Sequence, residues 1–136
     1  MKTVHVAVAV VVVNDHDILI ARRPDDKHQG GLWEFPGGKV EAGESVPAAL
    51  VRELDEEVAL SVRPEQMAPL LQIPFQYPDK SVLLDVYWVE ADMNAALLAH
   101  GAEGQEVRWV PFMRLPEFEF PAANQAIVQA ILQRLG

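Results

Sequence analysis

Cysteine is absent from this chain of 136 residues. Disulfides, thiolate metal sites and cysteine nucleophiles are thereby excluded. The absence fits a reducing compartment, and a cytoplasmic location is the expectation. Basic side chains are scarce: 11 lysines and arginines face 20 aspartates and glutamates, for a net charge of −9. So acidic a surface does not grip the phosphate backbone of a nucleic-acid polymer. A small anionic substrate stays open, provided a cation mediates. No apolar run approaches the roughly 20 residues that cross a bilayer, so no membrane partner is expected. The opening stretch, MKTVHVAVAVVVV, imitates a signal peptide only faintly, with one lysine and no small-residue cleavage site before Asn14-Asp15. It reads as a buried strand. Repeats, low-complexity tracts and linkers are missing too. Residues 1–136 are therefore read as one domain, and half of them are hydrophobic, enough for a real core; a monomer is the expectation and a dimer the alternative.

What is present alternates between strand and helix signals. Val4 to Val13 is almost unbroken small and β-branched, as suits a strand covered on both faces. Asn14 to Asp17 is turn chemistry, Ile18 to Ala21 a returning strand, and Pro24 to Gly31 a loop. Leu32 to Phe35 reads as a short strand stopped by Pro36. Pro64 and Pro69 bracket a connector. Leu70 to Tyr77 is a strand with Pro74 inside it, hence an edge or a bulge. Tyr77-Pro78-Asp79-Lys80 is a turn. Val82 to Val89 is a strong strand that carries an odd Asp85, solvent-facing or paired. Ala91 to Glu106 holds at most a short helical turn before glycine-marked loop. Val107 to Val110 is a short strand. Pro121 starts a last helix whose apolar face is Ile127, Val128, Ile131, Leu132 and Leu135. The fold class is α/β in the α+β sense: a mixed sheet with helices against it.

The informative stretch runs from Gly38 to Leu60, GKVEAGESVPAALVRELDEEVAL. Ser45 is a fair N-cap and Pro47 sits harmlessly in the first turn. Leu50, Leu54 and Val58 recur as an apolar face. Glu53, Glu56 and Glu57 stand three and four apart, so they form one acidic patch. Like charges so placed cost roughly 0.2–0.5 kcal/mol per pair in an isolated helix. A hard divalent cation turns that repulsion into ligation, since magnesium takes carboxylates, waters and substrate phosphates. The same spacing also describes a solvated face, and Arg52 is placed to pair with Glu56. Other chemistries find less support. Gly43-Glu44-Ser45-Val46-Pro47 lacks the second glycine of a nucleophile elbow. The four histidines have no ligand-like spacing.

The whole string settles more than its charges do. Gly38, Glu44, Arg52-Glu53-Leu54 and Glu56-Glu57 at their spacing resemble the Nudix box of the Nudix hydrolases. One position departs: the family pattern has glycine where this chain has Ala59. A left-handed helix end there would strain alanine by about 1–2 kcal/mol, so the helix is expected to run on or to end differently. Outside the box the chain looks like the MutT branch, the sanitising hydrolases of oxidised guanine nucleotides, nearly end to end.

That resemblance implies a Nudix fold, a mixed sheet sandwiched between helices, and a magnesium-dependent pyrophosphohydrolase, with manganese as a substitute. The expected substrate is 8-oxo-dGTP or a related purine nucleotide. A role in keeping mutations out of replicated DNA would follow. Glu53, Glu56, Glu57, Glu103 and the Gly37 carbonyl would hold metal, Glu53 or Glu103 would act as general base, and Arg52 would orient a neighbouring carboxylate. Glu44 would brace the turn into the helix. Arg23, His28, Glu34, Phe35, Pro36, Gly37, Gly38 and Lys39 would line the nucleotide site. Tyr77-Pro78-Asp79-Lys80 looks like an aromatic-Pro-Asp-Arg stretch with lysine for arginine. Asn124, in Phe120-Pro121-Ala122-Ala123-Asn124, would read the purine edge, because its amide both donates and accepts. Pyrimidine nucleotides (CTP, dCTP or methylated forms), nucleotide sugars, and a non-catalytic binding module of the same fold are the alternatives.

Overall fold

The computed structural model describes residues 3–23 and 30–136. Its organising strand is β1, Thr3–Val13, and the valine run explains why. Ala7, Ala9, Val10 and Val11 are wholly shielded from water, as a central strand requires. β1 pairs in parallel with β6 (Ser81–Glu90) from Thr3 opposite Ser81 to Val12 opposite Glu90. Its other edge is shared. β2 (Asp17–Arg22) takes the Val12–Val13 end, and β4 (Gly37–Lys39) takes Val6 to Val8, both antiparallel. β3 (Trp33–Glu34) and β7 (Val107–Pro111) flank β2. β5 (Met67–Gln76) closes the far side against β6. The sheet order is β3-β2-β1-β6-β5.

Strand alternation gives each face its own core. Val8, Val10 and Val12 point with Ile18, Ile20 and Trp88 toward α3 (Gln125–Leu135), meeting Ile127, Val128 and Ile131. Ala7, Ala9 and Val11 point the other way, toward Ala49, Leu50, Leu54 and Val58 of α1 (Val46–Val58). The small alanines let α1 approach closely. Burying each of its leucines contributes about 1.5–3 kcal/mol. The mixed sheet between helices expected from the sequence is thus found. A short α2 (Met93–Leu98) follows β6.

Several local expectations change. β5 begins at Met67, so Pro69 belongs to the strand, with an irregularity between Pro69 and Leu71. Both Pro69 and Pro74 are tolerated because β5 is an edge strand. Pro121 opens a 3₁₀ turn at Ala122–Asn124, and α3 starts after it. Asp85 is paired: it is buried and accepts from Gln72 at 3.2 Å and bonds His5 at 3.0 Å.

The largest departure is at Ala59. The residue adopts the left-handed conformation at φ 54° and ψ 38°, so α1 ends in the geometry the family's glycine would give. Ala59 N–H donates to the Asp55 carbonyl and Leu60 N–H to that of Leu54, at 3.2 and 3.1 Å. Burial of Leu60 just beyond the turn pulls the chain round despite the strain. Ala59→Gly should therefore stabilise the protein. Relief of about 1–2 kcal/mol of strain exceeds the about 0.4–1 kcal/mol of extra unfolded-chain entropy. Thermal unfolding should show a higher Tm, and an unchanged or lower Tm contradicts the strain argument.

Candidate active site

β4 is where the site assembles. Its two glycines have no side chains, and each is approached by a glutamate of α1. Gly37 N–H donates to Glu57 Oε2 at 3.0 Å. A Cβ on Gly38 would overlap the Glu53 carboxylate, and one on Gly37 would overlap the carbonyl oxygen of Ala7 in β1. Both glycines are thus needed for close approach.

Arg52 fixes the rest. Its Nε and Nη2 close on the two oxygens of Glu44 at 2.8 and 2.9 Å, and Nη2 also reaches the Lys39 carbonyl at 3.1 Å. Nη1 holds Glu53 at 2.8 Å. Glu44 also accepts from Glu41 N–H at 2.9 Å, so it braces the turn as expected. Ser45 caps α1 through Ala48 N–H at 3.2 Å. The expected Arg52–Glu56 pair is a loose 3.7 Å contact, because the guanidinium is already engaged by Glu44 and Glu53.

The electrostatics follow burial. The Arg52 hydrogen bonds and the Glu41 N–H hold the Glu44 carboxyl down at about 2. Glu44 in turn holds the Arg52 guanidinium more firmly protonated. Burial pushes Glu57 up to about 8 against the Gly37 hydrogen bond, and the charges of Glu34, Glu53 and Glu103 push the same way. Glu53 is also raised, first by burial, with Glu56 and Glu103 adding to it and Arg52 opposing. Glu34, Glu53, Glu57 and Glu103 therefore crowd one region.

Among the described residues no three acidic or imidazole side chains stand close enough to hold a metal ion without moving. Glu53 is engaged by Arg52 and Glu57 by the Gly37 N–H. The donors are nonetheless all hard oxygens whose charges oppose one another, which fits a magnesium-type cation. Glu56 sits at the rim, with its side chain 58% exposed, so the acidic patch is graded rather than uniform.

On its other side β4 borders a cavity of about 460 Å³. Of the residues expected there, Arg23, Glu34, Phe35, Gly37, Gly38, Lys39 and Asn124 line it. Arg23 Nη1 donates to Glu34 Oε2 at 2.6 Å. Phe35 stacks on Phe120 with centroids 5.0 Å apart. Asn124 ends the 3₁₀ turn, and its side chain makes no capping bond to α3. Pro36 is the exception. It is buried behind the wall, where its carbonyl accepts from Ala9 N–H at 2.8 Å. His28 lies outside the described residues. Phe75, Tyr77, Asp79 and Lys80 were not expected as lining, yet the β5–β6 hairpin brings them to the cavity. Tyr77, Asp79 and Lys80 belong to the Tyr77-Pro78-Asp79-Lys80 stretch noted in the sequence, whose turn closes with Tyr77 N–H on the Lys80 carbonyl at 2.8 Å.

The chain is similar to known proteins over nearly its whole length. The NUDIX domain pattern matches residues 7–130. The 8-oxo-dGTP diphosphatase of Escherichia coli (strain K12) is 35% identical over 135 residues, covering 99% of this chain and 100% of that protein. The CTP pyrophosphohydrolase of the same organism is 53% identical over 132 residues, covering 97% and 93%. Among solved structures, a MutT chain from work on the Aliivibrio salmonicida and Vibrio cholerae proteins superposes with a TM-score of 0.80 at 40% identity, covering 97% of this chain and 99% of that one.

Two outcomes test the geometry without substrate. Gly37→Ala should lower stability by about 1–3 kcal/mol, because the overlap is with backbone, whereas Gly38→Ala should leave Tm nearly unchanged by displacing only the Glu53 side chain. Equal Tm losses would contradict this arrangement. The second concerns Glu57. A carboxyl raised from 4.5 to about 8 gives stability that is full at low pH and lost as pH rises through about 8, because the folded state must then bury a charge. With chelator present, Tm should fall between about pH 5 and 9, and Glu57→Gln should flatten that fall. An unchanged slope assigns the loss to other groups.

Proposed function

The chain belongs to the Nudix family of hydrolases, and from that premise we propose how it works. It is a MutT-type nucleoside triphosphate pyrophosphohydrolase for 8-oxo-dGTP and related purine nucleotides. Water attacks a phosphorus of the triphosphate and the bond to the leaving pyrophosphate breaks, giving the monophosphate. The carrying observation is β4, which touches Glu53 and Glu57 and also walls the cavity bearing Arg23 and Asn124.

Glu53, Glu56, Glu57, Glu103 and the Gly37 carbonyl would hold magnesium, or manganese in its place. Such a cation neutralises phosphate charge and lowers the pKa of ligated water. Glu53 takes the proton of the attacking water. It is the better base than Glu103, because Arg52 holds it in a partly buried place while Glu103 is exposed. Arg23, kept in line by Glu34, faces phosphate with a planar fork of donors. Asn124 offers a donor and an acceptor to the base edge. The enzyme acts on a small nucleotide as one domain in the cytoplasm, clearing damaged precursors before DNA synthesis. No helix among the described residues is long and apolar enough to cross a membrane.

The relation to the CTP pyrophosphohydrolase supports a second reading, in which the same site cleaves cytosine nucleotides. Pyrophosphate release from 8-oxo-dGTP, dGTP, CTP and dCTP, with and without magnesium, separates the two. The purine reading expects the highest kcat/KM for 8-oxo-dGTP, and cleavage confined to cytosine nucleotides overturns it. Glu53→Gln should lower kcat by about 10²- to 10⁴-fold with the fold intact. Wild-type turnover in that variant removes the mechanism, and nucleotide binding without any release marks a binding module.

A further inference from the structure

The left-handed turn at Ala59 leaves the last carbonyls of α1 without helical donors, and the 100–105 loop supplies them. His100 N–H donates to the Val58 carbonyl at 2.9 Å, and Ala102 N–H to the Glu57 carbonyl at 2.9 Å. Gln105 adds a side-chain link. Its Nε2 donates to the same Glu57 carbonyl at 2.8 Å, and its Oε1 accepts from Glu103 N–H at 2.9 Å. One amide thus bridges the backbone of Glu57 and that of Glu103. The loop closes by Gly104 N–H on the Gly101 carbonyl at 3.0 Å. A Cβ at Gly101 would overlap the Gln105 carbonyl, so the fit is tight.

The geometry points to Gln105 as a positioning residue: its side-chain amide latches the Glu103 loop to the last turn of α1 and so holds Glu103 beside Glu57. The inference rests on the hydrolase reading. Glutamine suits the role because its amide donates at one end and accepts at the other. Glutamate in its place keeps the acceptor and loses the donor, and methionine keeps the length and loses both. Glu103 is otherwise an exposed residue on a loop with glycine at 101 and 104. The latch ties its place to the helix that carries Glu53 and Glu57.

The test is a double-mutant cycle on the full chain with Gln105→Met, Glu103→Gln and the pair. Turnover of 8-oxo-dGTP is measured together with magnesium binding by calorimetry in the absence of nucleotide. Gln105→Met should lower kcat and weaken magnesium binding, each by about 10- to 100-fold, as loss of a residue behind a metal ligand does. KM for nucleotide should stay within about twofold, since the cavity is untouched. The double variant should be no worse than Glu103→Gln alone. Gln105→Glu should fall between wild type and Gln105→Met, and carries the comparison if the methionine variant does not fold. A loss that adds in full on the Glu103→Gln background, or wild-type kcat and magnesium binding in Gln105→Met, overturns the latch. If Glu103→Gln is silent while Glu53→Gln abolishes turnover, the latch falls and the hydrolase reading stands. If Glu53→Gln is silent, that reading falls first.

Discussion

Arg52 ties together three pieces of chain around the site. Both oxygens of Glu44 bring the loop, the Lys39 carbonyl brings β4, and Glu53 brings the helix's own carboxylate. A lysine could not do this, because a single ammonium lacks the planar fork that meets two oxygens of one carboxylate while a further nitrogen reaches elsewhere. The pair stays ionised throughout the ordinary pH range, since Glu44 is held at about 2. The consequence falls on Glu53. Its carboxylate rests against Gly38, where any side chain would collide with it, and the guanidinium keeps it there.

What this arrangement does not do is lower the free energy of the fold. Burial and neighbouring charges raise Glu53 and Glu57 together, so the folded protein holds acidic groups where water would solvate them better. Local choices that contradict stability are expected at working sites. The compensation lies beneath. Leu50, Leu54 and Val58 are fully buried against the alanine face of β1, and they sit on the same helix as the glutamates. The strain at Ala59 belongs to the same account. It ends the helix sharply enough to present the Glu57 and Val58 carbonyls to the 100–105 loop.

The box was legible because its meaning is local. Residues three and four apart on a helix must share a face, whatever the rest of the chain does. The central valine strand was legible for a similar reason. What failed to show required knowledge of distant partners. Arg52 has an acid four residues on and another eight residues back, and only the folded turn decides for Glu44 over Glu56. Propensity argued against a left-handed Ala59, but the burial of Leu60 beyond it prevailed. Pro69 looked like a connector until the sheet order made β5 an edge strand. Phe75 and Tyr77 read as strand and turn residues, and nothing local says that their hairpin leans over a cavity.

Part of the cavity wall comes from segments far from the box: the hairpin carrying Phe75, Tyr77, Asp79 and Lys80, and the turn ending at Asn124. The carboxylates come from α1 and one loop. β4 belongs to both, and two of its three residues are glycines, which contribute backbone and no side-chain identity. Changes in the hairpin or in the 121–124 turn can therefore reshape what the cavity accepts without disturbing Arg52, Glu44 or Glu53. Changes at Arg52, Glu53 or Glu57, none of which lines the cavity, leave its walls in place. A single scaffold can in this way serve guanine in one relative and cytosine in another. Under the proposed function, substrate choice is a matter for the cavity side chains, Asn124 first, because the glutamates of α1 do not line the cavity.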